Sequence, residues 1–226
     1  MKSITVLIAG RGGRMGREIE SVAHEYALEV VGGLGRSSGT LAAWLKQNTK
    51  PEVVIDFSLP DATAEIAMTC AAQGIPLVSG VTGISDLDRL ALEKAAQKIP
   101  VLYSANMSVG IQMLAKALDA LKGADGFDFS IEDVHHRLKK DRPSGTAILL
   151  NDELKTRTGR GAEDIVSIRG GGVIGIHRVF ALSDSESLTF EHNALNRTVF
   201  ARGACRAARW VVGRVPGFHG LRDILE

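Results

Sequence analysis

The sequence predicts an α/β protein: a doubly wound parallel sheet in the first half, joined to a second α+β domain built on a mixed or antiparallel sheet. Three observations predict it. Short apolar, β-branched runs alternate with helical patterns up to about residue 106. A glycine-rich turn follows the first of these runs directly. Beyond it the rhythm changes to strictly alternating segments, the pattern of a sheet with one wet face.

Lys2 to Ala9 reads as a buried parallel strand. Gly10-Arg11-Gly12-Gly13-Arg14-Met15-Gly16 comes next, and Met15, Ile19, Val22 and Ala23 then recur at helical spacing. Strand, glycine turn and helix in that order are the context of a Rossmann-type dinucleotide site. Gly10 permits the tight turn, Gly12 lets the backbone approach a pyrophosphate, and Gly16 allows helix to pack on strand. The third glycine falls one residue later than in the usual G-x-G-x-x-G spacing, so the motif is a variant. The second strand is expected at Leu28 to Leu34. It runs out into Gly35-Arg36-Ser37-Ser38, and no Asp or Glu occurs between Val30 and Pro51. A carboxylate there would select the ribose hydroxyls of NADH, whereas arginine suits a 2′-phosphate. Arg36 therefore predicts a preference for NADPH, with NADH still usable.

Further strands are expected at Val53 to Phe57, Pro76 to Ser79 and Val101 to Ser104; the first of these ends at Ser58-Leu59-Pro60-Asp61 before a helix through about Gln73, and another helix is expected from Leu87 to Gln97. Ser85 or Asp86 suits the cap of the latter. The strand ends bring Ser58, Gly80-Val81-Thr82-Gly83 and Ser104-Ala105-Asn106-Met107 to the carboxyl edge of the sheet, where such folds bind ligand. Val109 to Leu121 then reads as a long apolar helix. Phe127 to Glu132, Val173 to Leu182 and Leu188 to His192 read as strands, and Thr198 to Val212 as a helix. The expected division is residues 1–106, completed by 204–226, for the dinucleotide, and 107–203 as an inserted second domain.

Composition is that of an ordinary globular protein. The 226 residues are 45% hydrophobic and 23% charged, with a formal net charge of +1. That balance gives no pull toward nucleic acid or anionic lipid, and no apolar run is long enough to cross a bilayer. No signal peptide is expected, because a strand and the glycine turn follow Met1-Lys2. Cys70 and Cys205, far apart in the chain, are expected as reduced thiols of a cytoplasmic protein. No His/Cys/Asp/Glu cluster has convincing ligand spacing, so no metal is expected.

The most informative segment is Val134-His135-His136-Arg137-Leu138-Lys139-Lys140-Asp141-Arg142-Pro143-Ser144-Gly145-Thr146. Adjacent imidazoles supply proton donors near neutral pH, and the cations favour a multiply charged anion. Pro-Ser-Gly-Thr leads into Ala147-Ile148-Leu149-Leu150, a helix start at which Ser144 or Thr146 serves as cap, with amides available to a carboxylate or phosphate. An acid beside an anion cradle suits a small dicarboxylate. Outside the segment, His177 is expected to serve its strand rather than a ligand, and His24, His192 and His219 to be surface or packing residues.

The glycine turn, Asp56-Phe57-Ser58, Gly80-Val81-Thr82-Gly83, Ser104-Ala105-Asn106-Met107-Ser108-Val109-Gly110 and the His-His/Pro-Ser-Gly-Thr block occur in the order seen in dihydrodipicolinate reductases, now called 4-hydroxy-tetrahydrodipicolinate reductases. The chain resembles that family from the first strand to the last helix. The resemblance implies reduction of a cyclic dicarboxylate by NADPH or NADH with loss of water, in diaminopimelate and lysine synthesis. It also implies a homotetramer built through the second domain's sheet. Position by position, it implies that His135 is the general acid/base and Lys139 the proton donor, and that His136, Gly145 and Thr146 bind substrate. Gly10, Arg11, Gly12, Gly13, Arg14, Met15, Arg36, Gly80, Val81, Thr82, Ser104, Ala105, Asn106 and Met107 match the cofactor contacts.

Three features depart from the family pattern: Arg142 in place of the usual alanine, Met107 in place of a common phenylalanine, and a short segment from Ser37 to Pro51. Two other functions compete. One is another two-domain NAD(P)H oxidoreductase acting on an imine or an amino-acid semialdehyde. The other is a non-catalytic dinucleotide sensor, which would bind NADPH without turnover. Neither needs His135-His136 with Lys139 and Pro143 to Thr146.

Overall fold

The computed structural model describes residues 2–35 and 38–226. The chain divides into two compact units, Met1–Ser108 with Thr198–Glu226, and Val109–Arg197. The returning segment thus begins at 198, six residues before the expected 204.

The first unit opens with β1 (Ile4–Ala9), α1 (Arg14–Val22), β2 (Leu28–Leu34), the short α2 (Leu41–Leu45), β3 (Val53–Asp56), α3 (Pro60–Gln73), β4 (Leu77–Ser79), α4 (Asp86–Ala96) and β5 (Pro100–Tyr103). Period-2 alternation sorts β1 between two cores. Val6 and Ile8 pack toward Ile19 and Val22 of α1, while Leu7 and Ala9 pack toward Ile66 and Ala67 of α3 and Leu92 of α4. Local signals set the helix ends. Gly74 closes α3 in the left-handed region at φ 63, and Ser85 caps α4 in a reciprocal capping box with Asp88.

The second unit contains α5 (Val109–Ala117), β6 (Asp128–His135), α6 (Gly145–Thr158), β7 (Asp164–Arg169), β8 (Gly175–Leu182) and β9 (Ser187–Ala194). Its sheet has the order β7-β6-β8-β9, with β6 parallel to β7 and antiparallel to β8. Leu114 of α5, Leu150 and Leu154 of α6, and Phe129, Ile131 and Val179 of the sheet form its core. On the opposite face Val166, Ile168 and Leu182 are 53%, 44% and 40% exposed.

The chain then returns to the first unit through α7 (Thr198–Val211) and β10 (Gly217–His219). The small residues Ala201, Ala204, Cys205, Ala207 and Ala208 of α7 are buried in the core of β1 and α1. A Cβ on Gly203 would lie 1.7 Å from the Met107 carbonyl oxygen, so only glycine lets α7 approach so closely. That packing places the whole helix in the first unit. The completed sheet is parallel throughout, in the order β10-β5-β4-β3-β1-β2. Strand order reverses between β1 and β3, the place where doubly wound sheets leave a crevice.

Candidate active site

The crevice is present. A cavity of about 540 Å³ lies beyond the carboxyl ends of β1 and β3, lined by Gly10, Gly12 and Gly13, by Leu34 and Gly35, and by Phe57, Ser58, Leu59, Ala62, Glu65 and Ile66. Gly10 adopts φ +81, and a Cβ there would meet the Phe57 carbonyl oxygen at 2.4 Å. A Cβ on Gly16 would meet the Gly10 oxygen at 2.3 Å, so turn and helix touch through bare backbone. Gly12 differs: nothing lies within 4 Å of its Cβ position, which leaves its backbone open to the cavity. No side chain caps the start of α1 at Gly13, so the first-turn amides are not taken by a cap. An open glycine, an uncapped helix start and a lined crevice fit a dinucleotide.

The other predicted cofactor positions are distributed less evenly. The amides of Gly10 and Arg11 both donate to the Leu34 carbonyl, at 2.9 and 3.1 Å. The Arg11 guanidinium pairs with Glu20 at 2.5 Å, and its stem fills the space a Cβ on Gly33 would take. Arg14 is exposed and Met15 packs against the core around α1. Gly80-Val81-Thr82 and Ser104 to Met107 follow β4 and β5 on one sheet edge, because Asp56, Ser79 and Tyr103 are paired in register. Gly80 lies under the Phe57 ring, Val81 is buried, and Thr82 and Ala105 are exposed. Ser104 donates to the Asn106 carbonyl at 2.8 Å, and Asn106 Oδ1 accepts from the Ser108 amide at 2.9 Å. The Met107 side chain is 2% exposed and belongs to the core. Arg36 and Ser37, on which the NADPH preference rests, lie outside the described residues. Sequence reasoning missed the α3 side of the cavity, Leu59, Ala62, Glu65 and Ile66, which only the β1–β3 crossover brings to the glycine turn.

The second unit holds a separate cluster of polar side chains. Alternation along β6 puts Phe129, Ile131, Asp133 and His135 on its covered face. Pairing sets Ser167 of β7 and His177 of β8 opposite Asp133, and Arg169 opposite His135. Asp133 is wholly buried. Its Oδ1 lies 2.6 Å from His135 Nδ1 and 3.6 Å from His177 Nε2. Its Oδ2 accepts from the Ser144 amide at 2.8 Å, Ser167 Oγ at 3.2 Å and Arg169 Nη2 at 2.9 Å. Burial favours the neutral acid, but these bonds outweigh it and hold the Asp133 carboxyl well below the usual carboxylate range. His177 goes the other way. Burial, then the neighbouring His135, pushes it down to about 4, so its ring is neutral at pH 7.

The strand ends at His135 and turns into the basic segment, pinned by Gly170 N donating to the His135 carbonyl and by Arg169 Nη2 donating to the Asp141 carbonyl at 2.7 Å. Lys139 forms an ion pair with Asp141 at 2.9 Å, the residue whose carbonyl accepts from Arg169 of the cluster. Ser144 is the cap of α6: its hydroxyl accepts from the Ala147 amide at 3.2 Å and lies 3.2 Å from His177 Nε2. Gly145 at the first turn is exposed, with open space at its Cβ position; His136 and Thr146 are partly buried and Arg142 is exposed.

The structure thus brings His135, Lys139 and Ser144 into one neighbourhood and adds Asp133, Ser167, Arg169 and His177. His177 does serve its strand, yet its ring contacts the capping serine and sits edge-on to His135, with centroids 5.1 Å apart. Among the described residues, Asp133, His135 and His177 offer ligand atoms within 4.8 Å of one another, a cluster the spacing in sequence does not reveal. The Arg169 cation and two further donors already occupy Oδ2, and His135 stands at ion-pair distance from Oδ1, so the set is built around the carboxylate as a polar hub.

Known proteins show the same design along the whole chain. The family model for the N-terminus of dihydrodipicolinate reductase matches residues 4–107, and that for its C-terminus matches 107–225. The 4-hydroxy-tetrahydrodipicolinate reductase of Bdellovibrio bacteriovorus is 44% identical over 227 residues, covering 100% of this chain and 97% of that protein. The enzyme of the same name from Thiobacillus denitrificans is 34% identical over 263 residues, covering 99% and 98%. A dipicolinate-bound dihydrodipicolinate reductase from Paenisporosarcina sp. TG-14 shares the fold at a TM-score of 0.79 and 22% identity, covering 98% of this chain and 99% of that one. With both halves matched and relatives aligned end to end, the chain belongs to the dihydrodipicolinate (4-hydroxy-tetrahydrodipicolinate) reductase family.

Proposed function

We infer that the chain reduces 4-hydroxy-tetrahydrodipicolinate to tetrahydrodipicolinate with loss of water, as an NAD(P)H-dependent oxidoreductase of diaminopimelate and lysine synthesis. The observation that carries this reading is His135 bonded to a buried carboxylate at the end of β6, next to the start of α6. The reduced nicotinamide supplies a hydride to the ring. Every other task falls to the chain. Hydride addition leaves electron density that must be protonated, and His135 is the acid/base, with Lys139 as the second proton donor; a positioned group of this kind contributes about 10²–10⁴-fold. The α6 amides at Gly145 and Thr146, with Ser144 and His136, hold the ring carboxylates. The glycine turn holds the pyrophosphate.

NADPH is the preferred cofactor and NADH the alternative, because Arg36 stands where an NADH-selective site carries an acid. Unchanged Michaelis constants for both cofactors in Arg36→Ala would remove Arg36 from the site. The apolar outer face of the second unit's sheet supports a homotetramer, which light scattering tests. Two free, buried cysteines support work in the cytoplasm, where thiols stay reduced. The decisive assay couples dihydrodipicolinate synthase, pyruvate and aspartate semialdehyde to NADPH absorbance. Oxidation that depends on His135 and Lys139 supports the assignment; a folded, NADPH-binding but silent protein favours the sensor.

A further inference from the structure

We propose that Asp133 is the positioning residue of the reaction: it fixes the His135 ring with Nδ1–H turned inward and Nε2 presented as the proton-transferring atom, while the same carboxylate anchors the substrate-binding start of α6. This rests on His135 acting as the acid/base.

The donor pattern around Asp133 carries the argument. Oδ2 accepts from three groups, two of them obligate donors: the Ser144 amide and the Arg169 guanidinium, with the Ser167 hydroxyl as the third. Oδ1 faces His135 Nδ1 at 2.6 Å, so of the two ring nitrogens Nδ1 is the one turned toward the carboxylate. An ionised carboxylate has no proton to give, so the hydrogen belongs to the ring. Nε2 is then the nitrogen available for transfer. Space beside it is kept by Gly175, where a Cβ would stand 3.1 Å from Nε2. Through the Ser144 amide, one buried carboxylate ties the proton donor to the helix start that takes the substrate's charge.

Asp133→Asn is informative because the three donors leave the amide one orientation. Its oxygen must take the Oδ2 place, which turns the NH₂ toward His135 Nδ1. Two donors then face each other, and the ring is driven to the opposite tautomer. The bond from the Ser144 amide survives. The expected result is a loss of kcat of about 10²–10³-fold with KM for the cyclic dicarboxylate and Kd for NADPH within about threefold. In a His135→Gln background the same substitution should cost less than about threefold more, since the group it orients is gone. Nitrogen NMR of ¹⁵N-histidine-labelled, NADPH-bound wild type gives a readout that needs no variant to fold: the neutral His135 ring should carry its proton on Nδ1.

A wild-type ring protonated on Nε2 overturns the proposal. So does a full Asp133→Asn penalty persisting in the His135→Gln background, which would mark a purely structural carboxylate. A His135→Gln enzyme as fast as wild type strikes the acid/base reading itself, and the proposal falls with it. A crippled His135→Gln beside an unimpaired Asp133→Asn strikes the positioning role alone.

Discussion

Asp56 makes the first unit lose stability as pH rises, and Asp56→Asn should remove that loss. Its side chain is wholly buried at the end of β3. Oδ1 accepts from Ser58 N at 2.9 Å and Ser58 Oγ at 2.6 Å, while Oδ2 is enclosed in the core. Burial pushes the carboxyl up to about 6, against the bonds from Ser58, which hold it down. The unfolded chain releases this proton near the ordinary 3.8, whereas the folded chain keeps it to about 6. Between those values the native state binds the extra proton, so stability falls as pH rises and levels off above pH 6. The gap corresponds to about 3 kcal/mol at about 1.36 kcal/mol per unit. Asn keeps the Oδ1 acceptor and cannot ionise. Trp44 and Trp210 are the chain's two tryptophans and both lie in the first unit, so tryptophan emission during urea unfolding reports that unit alone. Wild type should weaken from pH 4 to pH 7, and the variant should stay level. At pH 7 the variant should then be the more stable, by up to about 3 kcal/mol, which moves a urea midpoint by about 1 M or more. A wild-type midpoint that is flat over this range, or an equal slope in the variant, would show that Asp56 ionises as freely in the fold as out of it.

Gly12→Ala should fold normally, since its Cβ position is open, yet weaken NADPH binding by about tenfold by intruding where backbone meets pyrophosphate; equilibrium binding by nicotinamide fluorescence checks it. Gly10→Ala should instead cost about 2 kcal/mol or more of first-unit stability, from its φ of +81 and its 2.4 Å overlap with the Phe57 oxygen, seen as a lower unfolding temperature without cofactor. Ser144→Ala should remove about 1 kcal/mol by loss of the α6 cap and raise KM for substrate more than it lowers kcat, which steady-state kinetics resolve. His177 stays neutral in the fold to about pH 4 while the unfolded ring takes its proton near 6.5, so the second unit should lose stability as pH falls through that window. Amide exchange on β6 and β8 measures this, and His177→Gln should flatten it.

How much of this was legible depended on whether the determinant was local. β2 falls at the expected Leu28–Leu34, and α3 ends at the expected Gln73, because alternation, apolar runs and a C-terminal glycine are written in adjacent residues. β7 was not legible. Its covered positions are Ile165, Ser167 and Arg169, so the face that should read apolar reads mostly polar. The three-residue β10 and five-residue α2 are too short for any period to show. The return of the chain at Thr198 rather than 204 goes with the close approach of Gly203 to the Met107 carbonyl, a contact far apart in sequence that no local pattern shows.

The part of the candidate cluster around Asp133 failed to show for a related reason, and that failure is itself informative. Alternation over 127–132 is read as the strand and the basic block as starting at Val134, which leaves Asp133 assigned to neither. Yet Phe129, Ile131, Asp133 and His135 continue one covered face without a break. Ser167, Arg169 and His177 occupy covered positions on their own strands in the same way. Each is a polar residue where packing alone would place an apolar one, and each alone is a weak signal. Only pairing β6 with β7 on one side and β8 on the other superimposes the exceptions. A sheet that merely needed stability would gain little by burying Asp133 with Arg169, since such a pair roughly breaks even against apolar packing. Coincident exceptions on three neighbouring strands therefore favour a role in proton handling over one in folding. Replacing Asp133, Arg169 and His177 together by apolar residues of similar volume tests the inference: a fold that survives or gains stability while turnover is lost separates the two roles.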